Sequence, residues 1–327
     1  MKEVLDFVNF DFHLPVTDPT WIFFLVLVII LFAPIVLERL RIPHIIGMIL
    51  AGVVIGEHGF NILARDSSFE LFGKVGLYYI MFLAGLEMNM EDFKSIRVKA
   101  TVLGLLAFIF PLGIGIWTNL HLLGYSLATS VLLASMYASH TLIAYPIVIR
   151  YGINRQRAVS IAVGGTAVTD TLTLLVLAVV GGMYKGETSE MFWIWLVLKV
   201  VVLSVVIMYA FPRIGRWFFR RYSDNVVQYI FVMAMVFLGA GLMEFVGMEG
   251  ILGAFLAGLV LNRLIPHVSP LMSHLEFVGN ALFIPYFLIG VGMLIDVNVL
   301  FGHIDSVKVA VVMIIVALLG KWIASWL

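Results

Sequence analysis

Asp170 stands in the run GGTAVTDTLTLLVLAVV, from Gly164 to Val180, with Thr166, Thr169, Thr171 and Thr173 around it. A carboxyl group in such apolar surroundings is costly to leave charged, because burial disfavours the ionised form. It can take up a proton or a small hard cation, since oxygen ligands suit both. One occupant excludes the other, and mutually exclusive occupancy is the chemistry that exchange of a cation for a proton requires. Hydroxyls at i−4, i−1, i+1 and i+3 can help to complete a cation's oxygen shell. The plainer reading is a protonated aspartate joining one helix to the next, with threonines that bond back to their own helix.

Two more sites carry polar chemistry. Ser139, His140 and Thr141 lie in SMYASHTLIAYP, five to seven residues before Pro146. A proline removes one backbone hydrogen bond and disfavours helix at the residue before it, so carbonyls are freed as ion ligands. A kinked helix with a core-bonded histidine is the alternative, and His140 would also suit a pH sensor. Lys321, in LLGKWIASWL, reads on its residues as a snorkelling lysine near a helix end, with Trp322 and Trp326 at the interface.

These groups need elements to hold them, and composition says which kind. The chain has 327 residues, of which 62% are hydrophobic and only 12% charged. Its mean hydropathy is +1.08. A soluble domain carries roughly a quarter of its residues as charges, so this chain cannot cover a water-facing surface. It has no cysteine, which excludes disulfides, thiolate metal sites and cysteine nucleophiles. Its zero formal net charge gives no footprint for nucleic acid.

Apolar runs of about 20 residues, the length that crosses the hydrocarbon core, read as helices rather than barrel strands. They fall at Pro19–Leu37, Pro43–Phe60, Leu71–Glu87, Val98–Trp117, Tyr125–Ile149 and Ala158–Gly181. The rest are Met191–Phe211, Val226–Val246, Gly250–Leu264 (a short one), Leu275–Ile295 and Val307–Leu327. The expectation is an all-α polytopic membrane protein of about eleven transmembrane helices, preceded by an interfacial segment over residues 1–18. Asp170 then lies roughly 18 Å into its span, near the midplane of a core roughly 30 Å thick.

Arginines and lysines crowd alternate loops: Arg39, Arg41, Lys94, Arg97 and Lys99, then Arg150, Arg155 and Arg157, then Arg213, Arg216, Arg220, Arg221 and Arg263. The opposite side carries Lys2, Arg65, Lys74, Lys185 and Lys308. The positive-inside rule places the first set in the cytoplasm and the N-terminus outside. Lys199 reads as snorkelling; Glu38, Glu87, Glu244 and Glu249, at span ends, read as solvated. Pro285, Gly290 and Gly292, between Glu276 and Asp296, indicate a kinked and closely packed helix, and Gly52 with Gly56 forms a small-residue pair.

The segments IPHIIGMILAGVVIGEHG (42–59), LYYIMFLAGLE (77–87), GAFLAGLVLNR (253–263) and FIPYFLIGVGMLID (283–296) resemble monovalent cation:proton antiporters. The branch is the one that holds sodium/proton and glutathione-gated potassium/proton exchangers, and the likeness runs from about Pro19 to the end. It implies an inverted-repeat antiporter fold, with a dimerisation domain and a core domain whose broken helices cross at the midplane. On that reading the antiporter domain covers 19–327, core repeat one covers about 71–181, and a second repeat begins at about 275.

The resemblance also implies roles. Asp170 is similar to the family's ion-carrying aspartate, and Thr169 stands where electrogenic members have a second aspartate. Ser139, His140 and Thr141 match the break of the first crossing helix, although a histidine departs from the small residues usual there; Pro146 and Pro285 mark the helix breaks. Lys321 matches a membrane lysine of the second repeat. The transported ions would be Na+ or K+ and H+, with no cofactor and no enzyme activity, in a homodimer of a bacterial inner membrane. The second crossing helix, the last span and any cytoplasmic regulatory domain would follow Leu327. A neutral Thr169 leaves one carboxylate, which implies one-for-one, electroneutral exchange by alternating access. A sodium-coupled organic anion symporter of the same architecture is the alternative.

Overall fold

Asp18 begins the first helix, accepting hydrogen bonds from the amides of Thr20 at 2.9 Å and Trp21 at 3.1 Å. Pro19, which has no amide to satisfy, fills the first helical position. The computed structural model describes residues 14–39, 44–87, 90–138, 148, 151–153, 156–185, 190–302 and 304–326. Its helices are α1 (Pro19–Glu38), α2 (His44–Ile55), α3 (Ser67–Glu87), α4 (Met90–His121), α5 (Leu127–Ala138) and α6 (Arg157–Lys185). They continue as α7 (Glu190–Arg221), α8 (Asn225–Phe245), α9 (Gly250–Leu261) and α10 (Pro270–Val278). A π-helical turn over Gly279–Phe283 leads into α11 (Ile284–Met293), α12 (Val297–Gly302) and α13 (Ile304–Trp326).

The fold is all-helical; among the described residues the only extended pairing is the isolated bridge of Val16 with Leu63. That bridge ties the segment ahead of α1 to the loop before α3, through Val16 N to Ile62 O at 2.9 Å. Residues 1–13 of the expected interfacial segment lie outside the described residues. The helix count differs from the expected eleven. Among the described residues eight helices are long and apolar enough to cross a membrane, and Ile45–Ile55, Leu127–Ala138 and Gly250–Leu261 are shorter apolar helices. Leu127–Ala138 adjoins residues outside the described ones, whereas α2 is closed by a turn. Gly56 begins that turn, in which Gly59 N bonds Gly56 O at 3.0 Å.

The chain divides into two compact units. One comprises residues 1–76 and 280–302. Within it α2 packs on α11 with almost nothing between the backbones. A Cβ on Gly52 would collide with Ile289 O and lie 2.9 Å from Gly292 Cα, and one on Gly56 would lie 2.8 Å from Met293 Cα. The small-residue pair read from the sequence is therefore the seat of this crossing. Phe69, Phe72 and Phe23 surround Tyr286, with ring centroids 5.2, 5.0 and 6.0 Å from it.

The second unit comprises 77–279 and 303–327. In it α5, α6 and α13 all pack against α4, while α8 and α7 pack on α9. Tyr137 of α5, Ala134 and Val316 of α13 form a buried cluster beside α4, flanked by Leu112 and Ile116. The α8–α9 crossing is again close: a Cβ on Gly239 would lie 2.8 Å from Gly253 O.

Candidate functional site

Helix α6 carries Asp170 and is held to α4 where two glycines meet. A Cβ on Gly104 would lie 2.7 Å from Gly165 O and 2.8 Å from Val168 Cβ. On the other side Thr173 Oγ1 donates to Ser135 O of α5 at 3.1 Å, so one turn beyond Asp170 the helix is hydrogen-bonded to its neighbour. The other threonines divide. Thr166 Oγ1 donates to Ala162 O at 2.9 Å and Thr169 Oγ1 to Thr166 O at 2.8 Å, each bonding back to its own helix. Thr169 is 2% exposed. Asp170 is half-buried as a residue, and its Oδ2 is enclosed.

Helix α13 brings Lys321 into electrostatic reach of Asp170. The lysine is half-buried, whereas its neighbour Trp322 is 66% exposed. The helix seats on α4 beside this residue: a Cβ on Gly320 would lie 2.8 Å from Pro111 Cα. Thr169, Asp170 and Lys321 thus belong to one unit, on helices that share α4 as a neighbour. Ser139, His140, Thr141 and Pro146 lie outside the described residues. Pro285 belongs to the other unit, in the first turn of α11 just after the π-helical turn. The backbone stays helical from Pro270 through Met293, so Pro285 sits within a continuous helix beside its π-helical turn.

Four polar contacts escaped the sequence reading. Asn119 of α4, fully buried, accepts a bond from Tyr137 OH at 2.8 Å and donates to Ser130 O at 3.2 Å. Tyr79 OH donates to Leu275 O at 2.9 Å. Tyr78 OH donates to Glu244 Oε1, so this carboxylate, read as merely solvated, has a partner on α3. Only Asn119 left a trace in the sequence, as an amide within WTNLH just past an apolar run. Among the described residues no three His, Cys, Asp or Glu side chains gather as a metal-binding group.

A family model described as sodium/hydrogen exchanger, transmembrane, matches residues 27–327. The chain belongs to the sodium/hydrogen exchanger family. As a member it is a multi-pass integral membrane protein of a transporter family rather than an enzyme. Relatives of this exchanger chain bear concordant names. The Na(+)/H(+) antiporter NhaS5 of Synechocystis is 39% identical over 312 residues, covering 94% of this chain and 44% of the relative. The probable Na(+)/H(+) antiporter 3 of Methanocaldococcus jannaschii is 29% identical, covering 94% of this chain and 79% of the relative. The exchanger chain therefore spans less than half the length of NhaS5. The solved sodium proton antiporter MjNhaP1 of Methanocaldococcus jannaschii shares its fold, at a TM-score of 0.65 and 18% identity, over 92% of this chain and 76% of that one.

Proposed function

We propose that this chain forms the membrane domain of an antiporter that exchanges a monovalent cation, Na+ or K+, for protons at Asp170. The observation that carries the reading is that Asp170, with its Oδ2 enclosed on α6, has Lys321 of α13 within electrostatic reach, both helices being packed on α4. With no cation bound, the Lys321 ammonium balances the ionised carboxylate. A proton or a cation on Asp170 neutralises it instead, so each occupant displaces the other. Asp170 then serves both passengers in turn by alternating access. Sodium is the first ion to test, because the family and the relatives above are named for it.

The rest of the cation's oxygen shell would come from Ser139, Thr141 and carbonyls freed near Pro146, with His140 beside them. Pro285 would mark the corresponding irregularity in the other unit. Thr169 contributes no charge, and its hydroxyl is engaged with Thr166 O. One carboxylate per site gives one proton for one cation, an electroneutral cycle. The core domain includes repeat one over about 71–181 and a second repeat from about 275; the packing of α5, α6 and α13 on α4 supports grouping these helices. The arginine-rich loops face the cytoplasm of a bacterial inner membrane, the N-terminus lies outside, and the protein is a homodimer with a further cytoplasmic regulatory segment. The antiporter names of the relatives leave the organic anion symporter reading without support.

The test is proton efflux from vesicles that contain the complete protein when sodium, lithium or potassium is added. Cation-driven efflux is expected from the native protein and none above empty vesicles from Asp170→Asn. An Asp170→Asn protein that exchanged at the native rate would refute the assignment.

A further inference from the structure

Helix α7 has a face that neither the packing nor the exchange reaction uses. It is 32 residues long, about 48 Å at 1.5 Å per residue, against roughly 30 Å of hydrocarbon. Its last turns therefore extend to headgroup level. Ile207, Phe211 and Gly215 lie on one side, and the first two are 0% and 2% exposed. A Cβ on Gly215 would lie 2.6 Å from Leu264 Cδ1. At about 100° per residue, Arg213, Arg216, Trp217 and Arg220 centre about half a turn away from that packed side. All four are exposed.

The same outward side continues up the helix as apolar residues. Leu198, Val202, Val205 and Val206 are 47–53% exposed, and Tyr209 is 63% exposed. From one end to the other the stripe reads branched aliphatics, then a tyrosine, then three arginines about a tryptophan. Arg213 is already oriented: its Nη1 donates to Tyr209 O at 2.8 Å and its guanidinium lies 5.6 Å from the centre of that ring. The ion pairs His58–Asp296 and Arg65–Glu70 do not involve α7. Asp224, the acid nearest in the chain, caps α8 by accepting from Val227 N at 2.9 Å.

We infer that this stripe is a binding site for an anionic phospholipid, with the acyl chains along Leu198–Val206 and the phosphate between Arg213, Arg216 and Arg220. Guanidinium groups match phosphate oxygens with paired hydrogen bonds, and Trp and Tyr rings prefer the level where headgroup meets tail. A second copy of the chain fits this face poorly. A two-fold axis along the stripe would set like arginines opposite one another at the same height. A lipid phosphate supplies the missing charge, and its tails cover the apolar half.

The test is native mass spectrometry of the full chain from bilayers that contain equal phosphatidylglycerol and phosphatidylcholine. Phosphatidylglycerol should be enriched on the native protein. Enrichment should fall about fivefold per arginine removed in the Arg213→Gln, Arg216→Gln, Arg220→Gln series. It should be unchanged in Arg65→Gln, which lies outside α7 in the other compact unit. Trp217→Ala, which leaves every charge in place, should weaken retention of both lipids. Three outcomes would overturn the assignment: equal enrichment in the triple variant, displacement of the lipid by inorganic phosphate at matched concentration, or efficient crosslinking between copies through a cysteine placed at Arg216.

Discussion

Lys321 on α13 lies within electrostatic reach of Asp170 on α6, and each helix is seated on α4 by a glycine, Gly320 against Pro111 and Gly165 against Gly104. A cation and an anion shielded from water hold one another's charge, and removal of either leaves the other uncompensated. Both groups here are half-buried, so solvent screening keeps the interaction well below that of a dry pair.

Lys321→Gln should therefore destabilise the protein by about 1–2 kcal/mol. Asp170→Asn in the same chain should recover part of that loss. A double-mutant cycle read by thermal unfolding in detergent checks it. Strict additivity of the two single changes would show the groups to be uncoupled.

Thr169→Asp should make exchange sensitive to membrane potential, because a second carboxylate beside Asp170 adds a charge to each loaded state. The native protein should show rates that do not change when a potassium–valinomycin potential is imposed on the vesicles. Strong voltage dependence in the native protein would contradict the electroneutral cycle.

Thr173→Val should cost about 1 kcal/mol, since it removes the hydrogen bond that ties α6 to the Ser135 carbonyl of α5. Thr166→Val should cost less than about 1 kcal/mol, because Thr166 bonds only the carbonyl of Ala162 on its own helix. Equal melting temperatures for the two variants would show that the α5–α6 bond adds nothing.

The glycines separate into two kinds. Gly52→Leu and Gly104→Leu must push neighbouring backbone aside and should destabilise by about 1–3 kcal/mol or more. At Gly113 and Gly73 an added Cβ meets nothing within 4 Å, so alanine there should stabilise by about 0.5–1 kcal/mol. Unfolding midpoints of the four variants decide the point.

Helical order was legible in the sequence because apolarity and length are what a bilayer selects for. The eleven apolar runs recur in the same order, as eight long helices and three short ones. What closes α2 was less visible: Gly56 and Gly59 end it through turn bonds that have no hydropathy signature. Asp170 announced itself by being an acid in an apolar run. Its partner did not, since a lysine next to Trp322 looks the same whether it snorkels or faces inward; only the resemblance to antiporters pointed to Lys321. Gly52 and Gly56 were recognisable as a contact, but their partner Gly292 was not, because nothing local ties residues so far apart. Asn119 was overlooked because α4 runs to His121, past the end of the apolar run.

Helix α4 offers the exchange site no charge of its own, yet three neighbours lean on it, one of them at a proline. Damage there would surface as a transport defect with every ion-handling side chain intact. A survey of inactivating substitutions should find Gly104 and Pro111 among its hits, and the remedy would be to restore fit rather than chemistry.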